Sequence, residues 1–234
     1  MKRLIVLITC ILYGLHCSAQ KDWVTNHYFD DHPVGLIFSY NNQNVENNIQ
    51  GFISTWDGIW ESGVNNHLHG GALGIIVQGN WGYGIGLYWG MLWEFYMSSN
   101  DPTAYDYAYY AEDAFDLYLE TALSMPLHLQ FKVPLSDNFA VGAHSGLGAT
   151  WSFIGEYSDS RGYFADYEPL GEHGHLKKIN LTWDFALLLQ FETFRFDIQW
   201  SRGLTNHVMY YGEDGSTMDM TRRNKFTFGF TVFM

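Results

Sequence analysis

The sequence predicts an all-β protein, an eight-stranded antiparallel up-and-down transmembrane β-barrel. Eight segments alternate bulky apolar residues with small or polar ones, which is the period of a strand with two unlike faces. The second face is rich in Gly, Ala, Ser and Thr rather than the Lys and Glu of a solvated surface. Tight turns alternate with long connections, a pattern typical of outer membrane barrels.

The C-terminal segment "NKFTFGFTVFM" shows the alternation clearly. One face carries Phe226, Phe228, Phe230, Val232 and Met234. The other carries Lys225, Thr227, Gly229, Thr231 and Phe233. We expect the first face to meet lipid and this strand to pair with the first one, because a closed barrel leaves no unpaired edge in hydrocarbon.

The remaining strands are predicted near residues 35–41, 70–78, 85–97, 117–133, 139–153, 179–192 and 195–201. Tight turns are expected at 79–83, 134–138 and 193–194, and long connections at 42–68, 98–116, 154–178 and 204–222. The side chains predicted to fill the lumen include Tyr88, Leu92, Glu94, Tyr118, Leu188 and Gln190. A soluble sandwich or lipocalin-like barrel, with the bulky face inside, is the alternative. A charged content of only 16% favours the membrane barrel.

The N-terminus predicts three regions along the chain. Residues 1–20 have the basic start, apolar run and small-residue end of a secretory signal peptide. Residues 21–31 are expected to form a short periplasmic segment, and residues 32–234 the barrel. Both cysteines, Cys10 and Cys17, lie in the signal, so we expect neither a disulfide nor a Cys-ligated metal. No later apolar run reaches the 18 or so residues of a transmembrane helix.

The charge balance bears on the partners. The formal net charge of −13 argues against nucleic acid. The expected partners are outer membrane lipid and lipopolysaccharide, and a protein partner through the extracellular loops. The aromatic C-terminal strand also resembles the signal that directs such proteins to the barrel assembly machinery, although Met234 follows Phe233 at the very end.

Two longer segments carry a family resemblance. They are "LSMPLHLQFKVPLSDNFAVGAHSGLG" and "LTWDFALLLQFETFRFDIQWSRGLTN", followed by the terminal "RRNKFTFGFTVFM". With Pro126 and the Gly-Leu-Thr-Asn at 203–206, they resemble the PorT-like outer membrane β-barrel family, although Ser124 stands where that family usually has Glu. The resemblance covers about the last 120 residues. It implies the eight-stranded fold and the outer membrane, and it implies no shared catalytic motif.

Two histidine-rich segments are candidate metal sites, since neutral imidazole suits zinc or copper. They contain His67 and His69 in "HLH", and Glu172, His173 and His175 in "EHGH". Both fall in predicted long connections and neither supplies a full ligand set. We interpret them as solvated loop residues and expect no bound metal and no cofactor.

Loop acids and aromatic residues are further binding candidates. Acidic residues that could attract calcium or magnesium are Asp101, Asp106, Glu112, Asp113, Asp116, Glu213, Asp214 and Asp219. Aromatic residues that could stack on carbohydrate are Tyr105, Tyr107, Tyr109, Tyr110, Trp81, Trp89, Trp93, Trp151 and Trp200. A solvated acidic rim and interfacial aromatic girdles explain most of them without a ligand.

The functional expectation is a small non-porous barrel with a structural or surface-binding role through its long loops. No GxSxG, Gly-rich phosphate loop or HExxH motif is present, and we do not expect an enzyme. One alternative is a barrel enzyme acting on lipid or a surface substrate at the extracellular rim, among His173, His175 and Asp214. A subunit of a secretion or uptake complex is a third hypothesis, which rests on the resemblance alone.

His128 and His144 are both predicted on the lumen face, at about mid-barrel. Folding the chain about "PLSDN" with Val133 opposite Phe139 sets the two histidines directly across from one another. We expect a structural pair, hydrogen-bonded to neighbours such as Glu120, Gln130 or Asp184. At least one ring should be neutral, since two adjacent imidazolium ions repel.

Overall fold

The computed structural model describes residues 33–46, 67–99, 117–136, 138–158, 170, 177–206 and 222–234. Its strands are β1 (Val34–Glu46), β2 (His67–Gly82), β3 (Ile85–Ser99), β4 (Leu117–Ser136), β5 (Phe139–Ser158), β6 (Ile179–Phe191), β7 (Phe194–Gly203) and β8 (Arg222–Phe233). They form a closed antiparallel barrel in chain order, and β8 pairs with β1. The predicted fold class and closure are confirmed. Within the described residues no helix is long and apolar enough to cross a membrane.

The outer wall of the barrel is apolar all the way around. Directly opposed outward residues can be followed once around the barrel as Leu189, Phe196, Phe230, Phe38, Leu73, Trp93, Leu123, Trp151 and Ile179. The path returns to β6 ten residues from its start, at Ile179 rather than Leu189, so the barrel has a shear of ten. An apolar outer wall around a polar lumen is the arrangement of an outer membrane barrel. The chain is an outer membrane protein.

Short turns close one end of the barrel, as predicted. Tyr83 and Gly84, with φ of 54° and 73°, form the two-residue turn between β2 and β3, in which two positive φ values match the twist of the strands. At the same end β4 stops at Ser136 shortly before β5 begins at Phe139, and a turn at 192–193 joins β6 to β7. This end also holds Val34 and Phe233, and we call it the periplasmic end. The strands extend further than predicted, because β1 continues to Glu46 and β2 begins at His67.

The predicted register between β4 and β5 is wrong by two residues. Val133 lies opposite Val141 rather than Phe139, because β4 continues to Ser136 with an irregularity after Pro134. His128 therefore lies opposite Gly146, and His144 opposite Gln130. The predicted lumen face is still correct, since a shift of two residues leaves every side chain on the same side of a strand.

The lumen has one apolar side and one polar side. The apolar side lies on β1 to β3 and consists of Ile37, Ala72, Ile76, Tyr88 and Leu92. The polar side lies mainly on β4 to β8. Of the six residues predicted to fill the lumen, five are buried as expected, and the side chain of Tyr118 lies outside the described part of the chain.

Candidate functional site

The centre of the lumen holds the two histidines. The Nδ1 atoms of His128 and His144 are 2.8 Å apart, and the rings stack with centroids 4.9 Å apart. The two residues are diagonal neighbours on adjacent strands and not a directly opposed pair. Gly146 makes this contact feasible, because a Cβ atom there would lie 2.9 Å from Cδ2 of His128 and 2.2 Å from the carbonyl oxygen of Leu127.

A carboxylate holds the far side of each ring. Nε2 of His128 lies 2.9 Å from Oδ2 of Asp184, and Nε2 of His144 lies 3.0 Å from Oδ1 of Asp197. The Nδ1 contact needs one donor and one acceptor, so at least one ring is neutral, as predicted. If each Nε2 donates to its carboxylate, the three hydrogen bonds of the chain hold three protons. One ring is then an imidazolium and the other a neutral imidazole.

Arg195 completes the charge balance of this cluster. Its Nε and Nη2 donate to Asp197 at 2.8 to 3.0 Å, and its Nη1 donates to Gln130 at 3.1 Å. The guanidinium lies 4.4 Å from the ring centroid of Tyr88, which stacks on both histidines. With that arrangement of protons, the two carboxylates, the guanidinium and the imidazolium sum to zero. A poorly solvated interior requires such a balance, because an uncompensated buried charge is costly.

A second polar cluster lies nearer the extracellular end. Glu120 accepts two hydrogen bonds of 2.6 Å from Arg223, in the bidentate geometry that is strongest for this pair of groups. Glu94 accepts from the Tyr96 hydroxyl at 2.7 Å and from Lys225 at 2.6 Å. These pairs join β3, β4 and β8 across the lumen.

The periplasmic part of the lumen is also occupied. Lys132 donates to the side-chain oxygens of Gln78 and Gln190, at 3.2 and 3.4 Å. Phe233 turns inward against Gly35, where an added Cβ atom would lie 2.8 Å from the Phe233 ring. Polar side chains therefore cross the lumen at three levels.

The Asp–His pairs resemble the orienting half of a hydrolytic site, but their burial opposes catalysis. His128 and His144 are 1% and 2% exposed. A general base must reach the proton that it removes from a substrate. The geometry suits a buried hydrogen-bonded support better than a reaction centre.

The structure also places some of the loop candidates. His67 and His69 were predicted in a long connection, and this is wrong, because both lie on β2. His69 is exposed on the outer wall, with Nδ1 2.8 Å from the Tyr40 hydroxyl. Among the described residues, no group of three or more His, Cys, Asp or Glu is arranged to hold a metal ion. The "EHGH" residues and the predicted acidic rim, including Asp214, lie outside the described residues.

The aromatic candidates divide in the same way. The five tryptophans predicted to form girdles are all exposed on the outer side of the barrel, at 45 to 66%. Tyr105, Tyr107, Tyr109 and Tyr110 lie outside the described residues. Because the tryptophans are spread over several strands of the lipid-facing wall, they do not form a single stacking site.

Two members of the central cluster were missed at the level of sequence. The alternation puts Arg195 and Asp197 on the polar face of β7, but it does not identify them as partners of the histidines. The signal was the "RFD" spacing, which puts two opposite charges next to one another on the inward face. Nothing in the spacing shows which other strand they would meet.

The sequence matches no protein-family model and no curated protein. Solved small outer membrane barrels are similar in fold. The attachment invasion locus protein Ail of Yersinia pestis, in complex with the heparin analogue sucrose octasulfate, is 10% identical with a TM-score of 0.39, covering 87% of this chain and 99% of its own. The outer membrane enzyme PagL is 8% identical with a TM-score of 0.46, covering 84% and 98%. Neisserial surface protein A is 7% identical with a TM-score of 0.44, covering 86% and 97%. At these identities no activity, ligand or partner transfers to this chain.

Proposed function

We propose that this protein is a non-conducting outer membrane barrel with a structural or surface-binding role through its extracellular connections. The observation that carries the proposal is the filled lumen. An eight-stranded barrel has an interior that its own side chains can fill. Here Arg195 and Thr231 are 0% exposed, and Gln190 is 1% exposed.

The polar network supports rigidity rather than transport. Glu120 with Arg223 joins β4 to β8, and Arg195, which pairs with Asp197 on its own strand, joins β7 to β4 through Gln130. A conducting path would have to separate these pairs and leave charges buried without a partner, which costs several kcal/mol for each pair, about 3 to 5. The lumen is therefore better suited to hold the wall in shape.

A planar-bilayer recording tests the proposal. The purified barrel, folded in detergent and inserted into the bilayer, should show no stable conductance. A large general porin in the same bilayer is the control for insertion and detection. Stable, voltage-independent single-channel steps from the folded barrel would contradict the proposal.

We also propose that the barrel belongs among PorT-like proteins. Pro126 supports this, because it marks an unusual point in the wall. The β3–β4 pairing passes from Trp89↔Leu127 to Leu92↔Ser124, and Pro126 lies in the interval. A proline has no N–H to donate to the ladder, so such a site needs a tolerant neighbour, and Gly148 lies opposite it on β5. Alignment with further homologues would test whether proline and glycine recur as a pair.

The proposed partners are outer membrane lipid, the barrel assembly machinery and a protein bound by the loops. The proposal includes no enzymatic activity. Incubation of the folded barrel with outer membrane vesicles, followed by mass spectrometry of the lipids, tests it. An altered lipid that disappears in an Asp214→Asn or His173→Ala variant would contradict it and favour the rim enzyme. Cross-linking on intact cells, with a loop-deleted barrel as control, would identify a protein partner.

A further inference from the structure

The apolar outer wall is not equally tall on all sides. On β3 and β6 it continues as far as Met97 and Ile179 at the extracellular end. On β7, β8, β1 and β2, polar outward residues begin closer to the periplasmic end than they do on β3 and β6. We call this set the polar wall: Arg202, Asn224, Arg222, Asn42, Asn44 and His69.

The shear of the barrel allows the heights of outward residues on different strands to be compared along the barrel axis. A shear of ten over eight strands gives about 1.25 residues of rise per strand, and each residue rises about 2.3 Å at a tilt of roughly 45°. The polar wall then occupies a band about 8 Å high. In the same band, the opposite side of the barrel presents Phe95, Met97, Trp151, Ile179 and Leu181. The polar wall therefore begins at a depth where the rest of the barrel still faces hydrocarbon.

The polar residues form one continuous surface. Asn224 lies opposite Arg202 on one side and Asn44 on the other, and Asn42 lies opposite His69. Arg202, Asn44 and His69 are exposed. Leu204, just beyond the end of β7, interrupts the set and is exposed. Trp183 lies directly opposite Arg202 and is 51% exposed, so an apolar surface adjoins the charged one.

We propose that the polar wall binds the phosphorylated sugar head group of an outer-leaflet glycolipid. Arginine binds phosphate in bidentate geometry, and the amides of Asn42 and Asn44 can both donate to and accept from sugar hydroxyls. Trp183 and the apolar wall beneath would contact the acyl chains. Glu46 lies opposite Arg222 in the register, so Arg202 is the arginine on which the phosphate contact depends most.

The choice of a lipid follows from charge and depth. The whole chain is acidic, with 12 Lys and Arg against 25 Asp and Glu, yet the polar wall carries two arginines, and Glu46, opposite Arg222, is the one acid that adjoins it in the register. A positive surface at the level of the head groups complements phosphate. The proposal deepens the lipid partnership proposed above and does not depend on whether the lumen conducts.

Retention of lipid by the purified barrel tests the proposal. The barrel is folded into phosphatidylethanolamine vesicles that contain a few per cent bisphosphorylated lipid A, then extracted in mild detergent, and the bound lipid is measured by mass spectrometry. We expect wild type to retain lipid A, and Arg202→Gln to retain about tenfold less, since a charge-assisted hydrogen bond is a contribution of that order. Arg222→Gln should have a smaller effect.

Lys177→Gln is the matched control, because it removes the same charge next to β6 on the apolar side of the barrel. It should retain lipid A as wild type does, and all variants should fold, as shown by the mobility of unboiled samples. Equal retention by Arg202→Gln and wild type would overturn the proposal. So would equal retention of phosphatidylglycerol, which carries phosphate without the sugar. A photo-cross-linker at Asn42 that captures a protein instead of lipid in cells would also overturn it.

Discussion

Replacing Arg195 with methionine should destabilise the barrel strongly. The substitution keeps most of the side-chain volume and removes the guanidinium that donates three times to Asp197 and once to Gln130. Arg195 and Asp197 are 0% and 4% exposed, so water cannot replace the lost partner. Removing one member of a buried ion pair costs about 3 to 5 kcal/mol, and we expect that loss in the free energy of unfolding.

The double variant Arg195→Met/Asp197→Asn separates charge from packing. An asparagine keeps a side-chain oxygen that can accept from His144, and it removes the carboxylate that Arg195→Met leaves without a countercharge. The double variant should therefore be more stable than Arg195→Met alone. Arg195→Lys, which keeps the charge and loses the planar fork, should lie between wild type and Arg195→Met.

The measurement is equilibrium unfolding in urea of barrels folded into lipid vesicles, followed by tryptophan fluorescence. The mobility of unboiled samples on a denaturing gel gives an independent measure of the folded fraction. A loss below about 1 kcal/mol for Arg195→Met would place it in the range of a surface ion pair. That result would refute the charge-balance argument. The argument would also be refuted if the double variant lost as much free energy of unfolding as Arg195→Met and Asp197→Asn lose together.

Three further predictions concern the wall and its packing. Phe228→Arg should lower the free energy of unfolding by about 2 to 4 kcal/mol, because Phe228 faces lipid. Unfolding in lipid vesicles, with Phe228→Leu as the control, tests this. If both variants are equally stable, the assignment of Phe228 to the lipid face is wrong. Gly146→Ala should disturb the His128 ring and destabilise the barrel, whereas Gly79→Ala, with open space around its added Cβ atom, should not; similar unfolding midpoints would refute this. In membranes, carbonate extraction should leave the protein in the pellet, and a soluble detergent-free monomer would contradict the fold.

Alternation alone determined which side of the wall each residue faces. Phe228 was assigned to lipid, and Glu94 and Gln190 to the lumen, from period-2 spacing, and the structure agrees. This works because the contrast between lipid and a narrow lumen is stronger than any local preference. The same spacing predicted the number of strands, and the cost of an unpaired edge in hydrocarbon predicted that the last strand closes on the first.

The tertiary structure alone decided which lumen residues meet. Period-2 spacing leaves the register between two strands open by any even number of residues. The prediction from sequence therefore put His128 opposite His144, whereas in the structure His128 lies opposite Gly146. The small Gly146 lets the rings meet diagonally, and the barrel curvature then brings Asp197 of β7 to His144. A contact across a lumen depends on closure and shear, which belong to all eight strands together and are not encoded in the spacing of any one.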